Sequence, residues 1–331
     1  MILLTGAAGL SGAIVARELA RQGTRFRALV HDRAKATALE GLAGIEVVEA
    51  DMRRAETLPP ALDDVTRALL ISSARPDMVE TQRTFIDAAR RAGVEHIIKF
   101  SARKARHDAA FRFLRMHADV EEYLEGSGVA WTHVRPGQFM QVYFREAATI
   151  AAEGVLYLPM ANASIAPVDI DDIARVCAAL LRDGGHAGER LEMTGPDSLT
   201  MWQVADEISR AVGKPVRYAD VGPKEKNAQL LSAGFPEYLV DALDELFACR
   251  RGGEESAVCL ETHHAFGITP TSFREFARRN AASLGAQGAA PGRDEIPSVN
   301  RRQPRAETAL VGDAVNASST QDEHAARHRS A

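Results

Sequence analysis

Short apolar runs alternate with helix-periodic segments through the first half of the chain. Ile2 to Leu4 is a buried-strand run, and Ile14, Val15, Leu19 and Ala20 then recur at helical spacing. Phe26 to Val30 reads as a second strand, Ala34 to Leu42 as a helix, and Ile45 to Ala50 as a third strand. Ala68 to Ile71 gives a fourth strand, followed by a helix over Met78–Ala92 with Val79, Phe85, Ile86 and Ala89 on one side. Val94 to Phe100, a helix over Phe111–Glu125, and Trp131 to Val134 complete the series. Such alternation predicts a parallel sheet covered by helices on both faces. Right-handed crossovers bring every strand's C-terminal end to one edge, where ligands of such sheets bind.

The second half is less regular. A helix is predicted over Phe139–Ala152, a strand over Gly154–Pro159, and an acid-capped helix from Pro167. A strand from Leu191, a helix over Met201–Val212 opened by Thr200, and a strand from Val216 follow. Helices near Pro223–Ser232, Pro236–Phe247 and Phe273–Asn280 come last. From Ala281 onward there is no Phe, Tyr or Trp and no periodicity, so a disordered C-terminal tail over 281–331 is expected.

Thr5-Gly6-Ala7-Ala8-Gly9-Leu10-Ser11-Gly12 stands between the first strand and the first helix. Gly6 permits a tight turn, Gly9 clears space for a pyrophosphate, and Gly12 lets the helix lie close on the strand. The helix N-terminus adds free N–H groups and positive potential for an anion. The segment therefore predicts a dinucleotide cradle on a doubly wound parallel-sheet Rossmann fold, and the less regular second half a small α/β C-terminal substrate lobe. The dinucleotide-binding core is assigned to 1–137, with 164–194 returning to it, and the lobe to 138–163 and 195–280.

Composition narrows the setting. A chain of 331 residues suits one large domain with an appended lobe, or two domains. A net charge of −5 gives no general attraction to nucleic acid or anionic membrane. No apolar run approaches the roughly 18 residues of a membrane span, and the N-terminal one is too short for a signal peptide. Cys177, Cys249 and Cys259 lack metal-pair spacing and suit a reducing, cytoplasmic setting. His263-His264 has no third ligand in a metal spacing, so no metal site is assigned.

Candidate chemistry collects at the strand ends. His31, Arg33 and Lys35 follow the second strand, where cations meet the 2′-phosphate of NADP(H); Asp32 dilutes them. NADP(H) is accordingly favoured over NAD(H). Asp51 and Met52 close the third strand, where they meet the adenine edge or cap the next turn. Ser72, Ser73 and Ser101 end the fourth and fifth strands, as ribose contacts or satisfied turn hydroxyls. None of the five tyrosines has a Lys four residues later, so the usual Tyr-x-x-x-Lys acid is missing. His117 and Glu121 stand instead at i, i+4 on the expected helix. His117 is the candidate for proton transfer or ribose contact, with Glu121 orienting it, or else a core histidine bonded to backbone. Pro136 and Gly137 join the cofactor list, and Phe139, Met140 and Tyr143 offer an apolar wall for a flat acceptor or lobe core. The basic run Arg103-Lys104-Ala105-Arg106-His107 is an anionic-substrate contact or a solvated loop.

Taken with Ala28–Lys35, Leu69–Ser73, Ala88–Val94, Arg135–Gly137 and Val168–Ala174, these stretches resemble the NmrA-like atypical short-chain dehydrogenases/reductases. The likeness, covering about residues 1–280, is nearest to the NAD(P)H quinone oxidoreductase and azoreductase members. It implies NADP(H) in the crevice and a lobe closing over the nicotinamide. The family's arginine after the second strand is here His31. The resemblance implies an NAD(P)H-dependent oxidoreductase passing hydride to a small flat acceptor such as a quinone. Its rivals are a non-catalytic NAD(P)-binding redox sensor and a nucleotide-sugar epimerase, the latter opposed by the missing Tyr. The expected partner is a small-molecule electron acceptor, with no nucleic acid and no membrane; a homodimer stays open.

Overall fold

The computed structural model of the chain describes residues 1–286. Strands β1 (Ile2–Leu4), β2 (Phe26–Val30), β3 (Ile45–Glu49), β4 (Arg67–Leu70), β5 (His96–Phe100) and β6 (Ala130–Pro136) alternate with helices. Those helices are α1 (Leu10–Arg21), α2 (Pro59–Leu62), α3 (Met78–Arg91) and α4 (Arg112–Glu125). Then come α5 (Ala147–Glu153), β7 (Val155–Leu158), β8 (Ser164–Ile165), α6 (Ile170–Asp183), β9 (Glu189–Met193), β10 (Leu199–Thr200) and α7 (Met201–Val212). The chain continues as β11 (Arg217–Asp220), α8 (Pro223–Ser232), α9 (Glu237–Arg251), α10 (Glu261–Ala265) and α11 (Phe273–Arg279).

Seven strands form one parallel sheet in the order β3-β2-β1-β4-β5-β6-β9. α1 and α6 cover one face, burying Ile14, Val15, Leu19, Ile173 and Leu180 against Leu4, Ala28 and Leu69. α3 and α4 cover the other, with Phe85, Ile86, Val120 and Leu124 against Leu3, Leu70 and Ile97. Each fully buried leucine or phenylalanine contributes about 2 kcal/mol of apolar transfer, so this double sandwich holds the strand ends in place. A separate core lies under α7, α9 and α11, around Tyr143, Met201, Leu243 and Phe276. It is edged by two small ladders, β7 with β11 and β8 with β10.

Three sequence expectations need correction. The helix over 34–42 is two 3₁₀ turns, Arg33–Lys35 and Thr37–Leu39. Among the described side chains of that segment only Ala36 and Leu39 are buried, and Gly41 at φ +75° turns the chain away before a third row could form. The helix over 139–152 starts as a 3₁₀ segment, Met140–Glu146, before α5. Its entry is pinned, because Phe139 bridges to Val168 and the Met140 amide donates to the Val168 carbonyl at 2.9 Å. The tighter turn eclipses Met140 and Tyr143, three apart, and buries both. Finally, 281–286 continue as turns with Leu284 fully buried, so the expected tail does not begin at 281. The remainder of that tail, 287–331, lies outside the described residues. Among the described residues no helix is long and apolar enough to cross a membrane.

Candidate active site

The cofactor half is built from contiguous backbone. Thr5 anchors β1 to β4 by accepting from the Ile71 amide at 2.8 Å and donating to the Ile71 carbonyl at 2.7 Å. Gly6 then turns at φ +60°, which only glycine adopts without strain. A Cβ on Gly12 would overlap the Gly6 carbonyl oxygen, so α1 can approach the turn only with glycine there. Gly9 is the N-cap, has no side chain to cap with, and no acid occupies the first turn. Backbone N–H groups of Leu10, Ser11 and Gly12 thus open a helix with positive potential and no competing carboxylate, a donor set that fits a diphosphate. Ala8 and Gly9 are half-buried at its rim.

Past β2, His31 and Arg33 are exposed. His31 Nδ1 lies 4.0 Å from Asp51, while the Arg33 guanidinium rests on the Val47 carbonyl of β3. Asp51 accepts from the Arg53 amide at 2.9 Å and grips the Arg53 guanidinium, which together hold its carboxyl below the usual range against the opposing effect of burial. Asp51 therefore caps the next turn as well as closing the strand. Met52 is buried in the core under α2. Ser72 accepts from Gln82 at 2.7 Å, and Ser73 sits half-buried beside it.

A crevice of about 80 Å³ opens at the C-terminal ends of β4, β5 and β6, lined by Ser72, Ser101, His117, Pro136, Gly137 and Phe139 among others. Thus the strand-end residues predicted from the sequence converge, with Phe139 edge-on to Phe100 at 6.1 Å. Behind the wall the arrangement differs from expectation. His117 Nδ1 pairs with the Nζ of Lys99 at 2.9 Å, neither with Glu121 nor with backbone. Glu121 is held by Arg135, whose Nε donates at 2.9 Å, and by the Ser101 hydroxyl at 2.5 Å. The i, i+4 spacing is real, but Arg135 from β6 competes for the carboxylate with a full charge, and the histidine turns to β5. Ser101 consequently spends its proton on Glu121 and can meet a ligand only as an acceptor.

Lys99 is the residue behind this wall that periodicity missed. It is fully buried near the C-terminal end of β5, and burial lowers it to about 7, with Glu121 opposing and Arg135 reinforcing the fall. His117 is pushed well below its ordinary value by burial, then by Lys99, Arg135 and His133, so its imidazole is neutral. A donor on Nδ1 leaves Nε2 as the ring's N–H. A signal existed: a lysine inside Ile97-Ile98-Lys99-Phe100, a run buried on both faces, requires a polar partner across the sheet.

The basic run is tied down on three sides. Arg103 donates to Glu192 at 3.2 Å, Lys104 to the Glu254 carbonyl, and His107 lies 2.9 Å from Asp119. Arg103 also lines the crevice, while His107 is exposed. Glu121, Glu125 and His133 could together reach one metal ion, but Arg135 and Arg190 already occupy the two carboxylates.

Next to the crevice, and sharing Gln138, Val142 and Arg250 with it, lies a lobe cavity of about 220 Å³. Tyr143 lines it, with its hydroxyl 3.1 Å from Gln138 Nε2. Met140 lines neither space and is packed in the lobe core.

The NmrA-like family profile matches residues 1–277. An NAD(P)H azoreductase from Xenophilus azovorans is 34% identical over 86% of this chain and its own whole length. A (4-alkanoyl-5-oxo-2,5-dihydrofuran-3-yl)methyl phosphate reductase from Streptomyces griseus is 30% identical, covering 86% of this chain and 99% of that protein. Among solved structures, an NADPH-dependent quinone oxidoreductase from Escherichia coli in complex with NADPH superposes with a TM-score of 0.76, at 29% identity over 84% of this chain and 99% of its own.

Proposed function

From the premise that the chain belongs to the NmrA-like family, we propose that it is an NADP(H)-dependent oxidoreductase that reduces a small flat acceptor such as a quinone. The reading is supported by its azoreductase and quinone oxidoreductase relatives. The single observation that carries it is His117, which lines the crevice and is paired behind its wall with the fully buried Lys99. A pure binding module needs no titrating group there, whereas a reductase must deliver a proton to the reduced acceptor.

When bound, the cofactor supplies one chemistry, a hydride. The chain's residues do the rest. Gly6, Ala8, Gly9, Leu10, Ser11 and Gly12 would hold the diphosphate through backbone; His31 and Arg33 would meet the 2′-phosphate, Arg33 giving up its exposed Val47 bond for a charged one. Asp51 would serve the adenine side, and Ser72, Ser73, Ser101, Pro136 and Gly137 the ribose and the reacting end. His117 positions a ribose hydroxyl or passes a proton from Nε2, and Lys99 restores it through Nδ1. A lysine near 7 is matched to this task at neutral pH, because neither its charged nor its neutral form is strongly favoured. Phe139 and Tyr143 stack or border the acceptor, whose partner role is filled by a small molecule.

The test is steady-state oxidation of NADPH by quinones and azo dyes across pH 6–9. Acceptor-dependent turnover that falls with loss of Lys99 supports the reading. Saturable NADPH binding with no turnover on any acceptor would leave a redox sensor instead.

A further inference from the structure

The lobe cavity has mainly apolar walls, including Met160, Ile165, Leu243 and Phe247, yet three cations line it: Arg145, Lys226 and Arg250. Two are matched. Lys226 Nζ lies 3.0 Å from Glu146 and donates to the Tyr157 carbonyl at 2.8 Å. Arg250 Nε donates to Glu255 at 2.8 Å. Arg145 is not matched: its Nη2 is closed off from solvent and, among the described residues, has no hydrogen-bond partner. Burial lowers this guanidinium to about 9, with Glu146 opposing and Arg250 adding to the fall. Glu146 gives its Oε1 to Lys226, and among the described residues no hydrogen bond joins it to Arg145.

An arginine stays charged and presents donors in a planar fork suited to an oxyanion. Left unpaired in an apolar wall it destabilises the fold, so a ligand group that pairs it would bind with unusual preference. We propose that the lobe cavity takes flat acceptors bearing an oxyanion substituent (carboxylate, sulfonate or phosphate), and that Arg145 receives that substituent. This deepens the reductase reading and rests on it for the word acceptor: the ring lies toward the crevice that shares Gln138 and Val142, the anion in the lobe. Selectivity for charged over neutral acceptors then resides some distance from the reacting atoms.

The experiment uses redox-inert probes and the full chain saturated with NADP⁺, which keeps phosphate probes out of the cofactor site. Naphthalene-2-sulfonate, 2-naphthoate and 2-naphthyl phosphate are titrated by calorimetry against neutral 2-naphthol. At least one anionic probe is expected to bind ten times or more tighter than 2-naphthol, and the ranking identifies the oxyanion. Arg145→Leu is expected to abolish that preference and Arg145→Lys to keep part of it. Without ligand, Arg145→Leu should melt no lower than the parent, since it removes an unpaired buried charge, and the anionic probe should raise only the parent's Tm. Equal affinity for charged and neutral probes, or a preference that survives Arg145→Leu, would overturn the assignment. The two readings fail separately. Quinone turnover with no anion preference removes this site alone, while an Arg145-dependent preference without any acceptor turnover removes the reductase reading and leaves the anion site.

Discussion

The cofactor cradle and the lobe cavity are built by opposite means. The cradle is one contiguous stretch, Thr5 to Gly12, whose geometry follows from backbone: a positive-φ turn, a helix pressed against it, and a cap without a side chain. The lobe cavity is assembled from Gln138–Ile165, Met201 and the α8–α9 region, residues more than a hundred positions apart, through side chains and charge. A backbone cradle has little freedom to change without losing its ligand. A side-chain cavity can change its ligand while the fold stays. The difference teaches that the shared cofactor and the variable acceptor are separately encoded.

The largest expected effect lies in the cradle. Gly12→Val places a side chain where the Gly6 carbonyl stands, and should cost about 4 kcal/mol of stability or binding combined, seen as a lowered Tm and NADPH affinity beyond titration. Retained affinity would show that the helix mouth is not the diphosphate site. Next, Glu121→Gln leaves the part-buried Arg135 without its carboxylate and should lower unfolding free energy by about 3 kcal/mol in urea titration. An unchanged midpoint would mean that Glu192, 4.0 Å from Arg135, suffices alone.

Lys99→Met should reduce kcat about a hundredfold and remove the ionisation near 7 from the pH profile, with KM for the acceptor little changed. Its stability has a defined sign. The folded value of Lys99, about 7, lies below the unfolded value near 10.4. Within that window the unfolded chain holds the extra proton, so parent stability rises with pH, by at most about 1.4 kcal/mol per unit. Below about 7 both states are charged and the penalty is complete. Lys99→Met lacks the proton, so its stability relative to the parent should be highest at pH 6.5 and fall by pH 9.5. A pH-independent difference would place the amine in water. The smallest effect is Arg33→Ala, expected to narrow the NADPH-over-NADH preference about tenfold in kcat/KM, with His31→Ala narrowing it less. Equal loss for both cofactors would assign Arg33 to the fold.

How much of this was legible follows the same division. The parallel sheet with helices on both faces follows from apolar runs and helix spacing, because a doubly wound sheet buries its strands on both faces. Thr200 and Gln203 form a reciprocal cap that starts α7 where its first residue was expected. Local glycine chemistry located the cradle. What sequence spacing could not settle was competition among charges. Glu121 and His117 share a helix face, yet Arg135 and Lys99, arriving from neighbouring strands, divide them. Arg145 sits beside Glu146 and reads as an ordinary surface pair until α8 brings Lys226 to take the acid away. Segment 34–42 looked helical by composition, but helix needs a buried row on each turn, and among its described side chains only Ala36 and Leu39 are buried.

The central claim is that this crevice moves a hydride and then a proton. Anaerobic single-turnover mixing of the NADPH-loaded chain with a quinone, repeated with NADPH deuterated at the transferred C4 position, tests it directly. The account predicts one NADPH consumed per quinone, a deuterium isotope effect above about 2 on that step, and a pH dependence centred near 7 that Lys99→Met abolishes. NADPH that binds fully and stays unoxidised through many seconds with every quinone would contradict it.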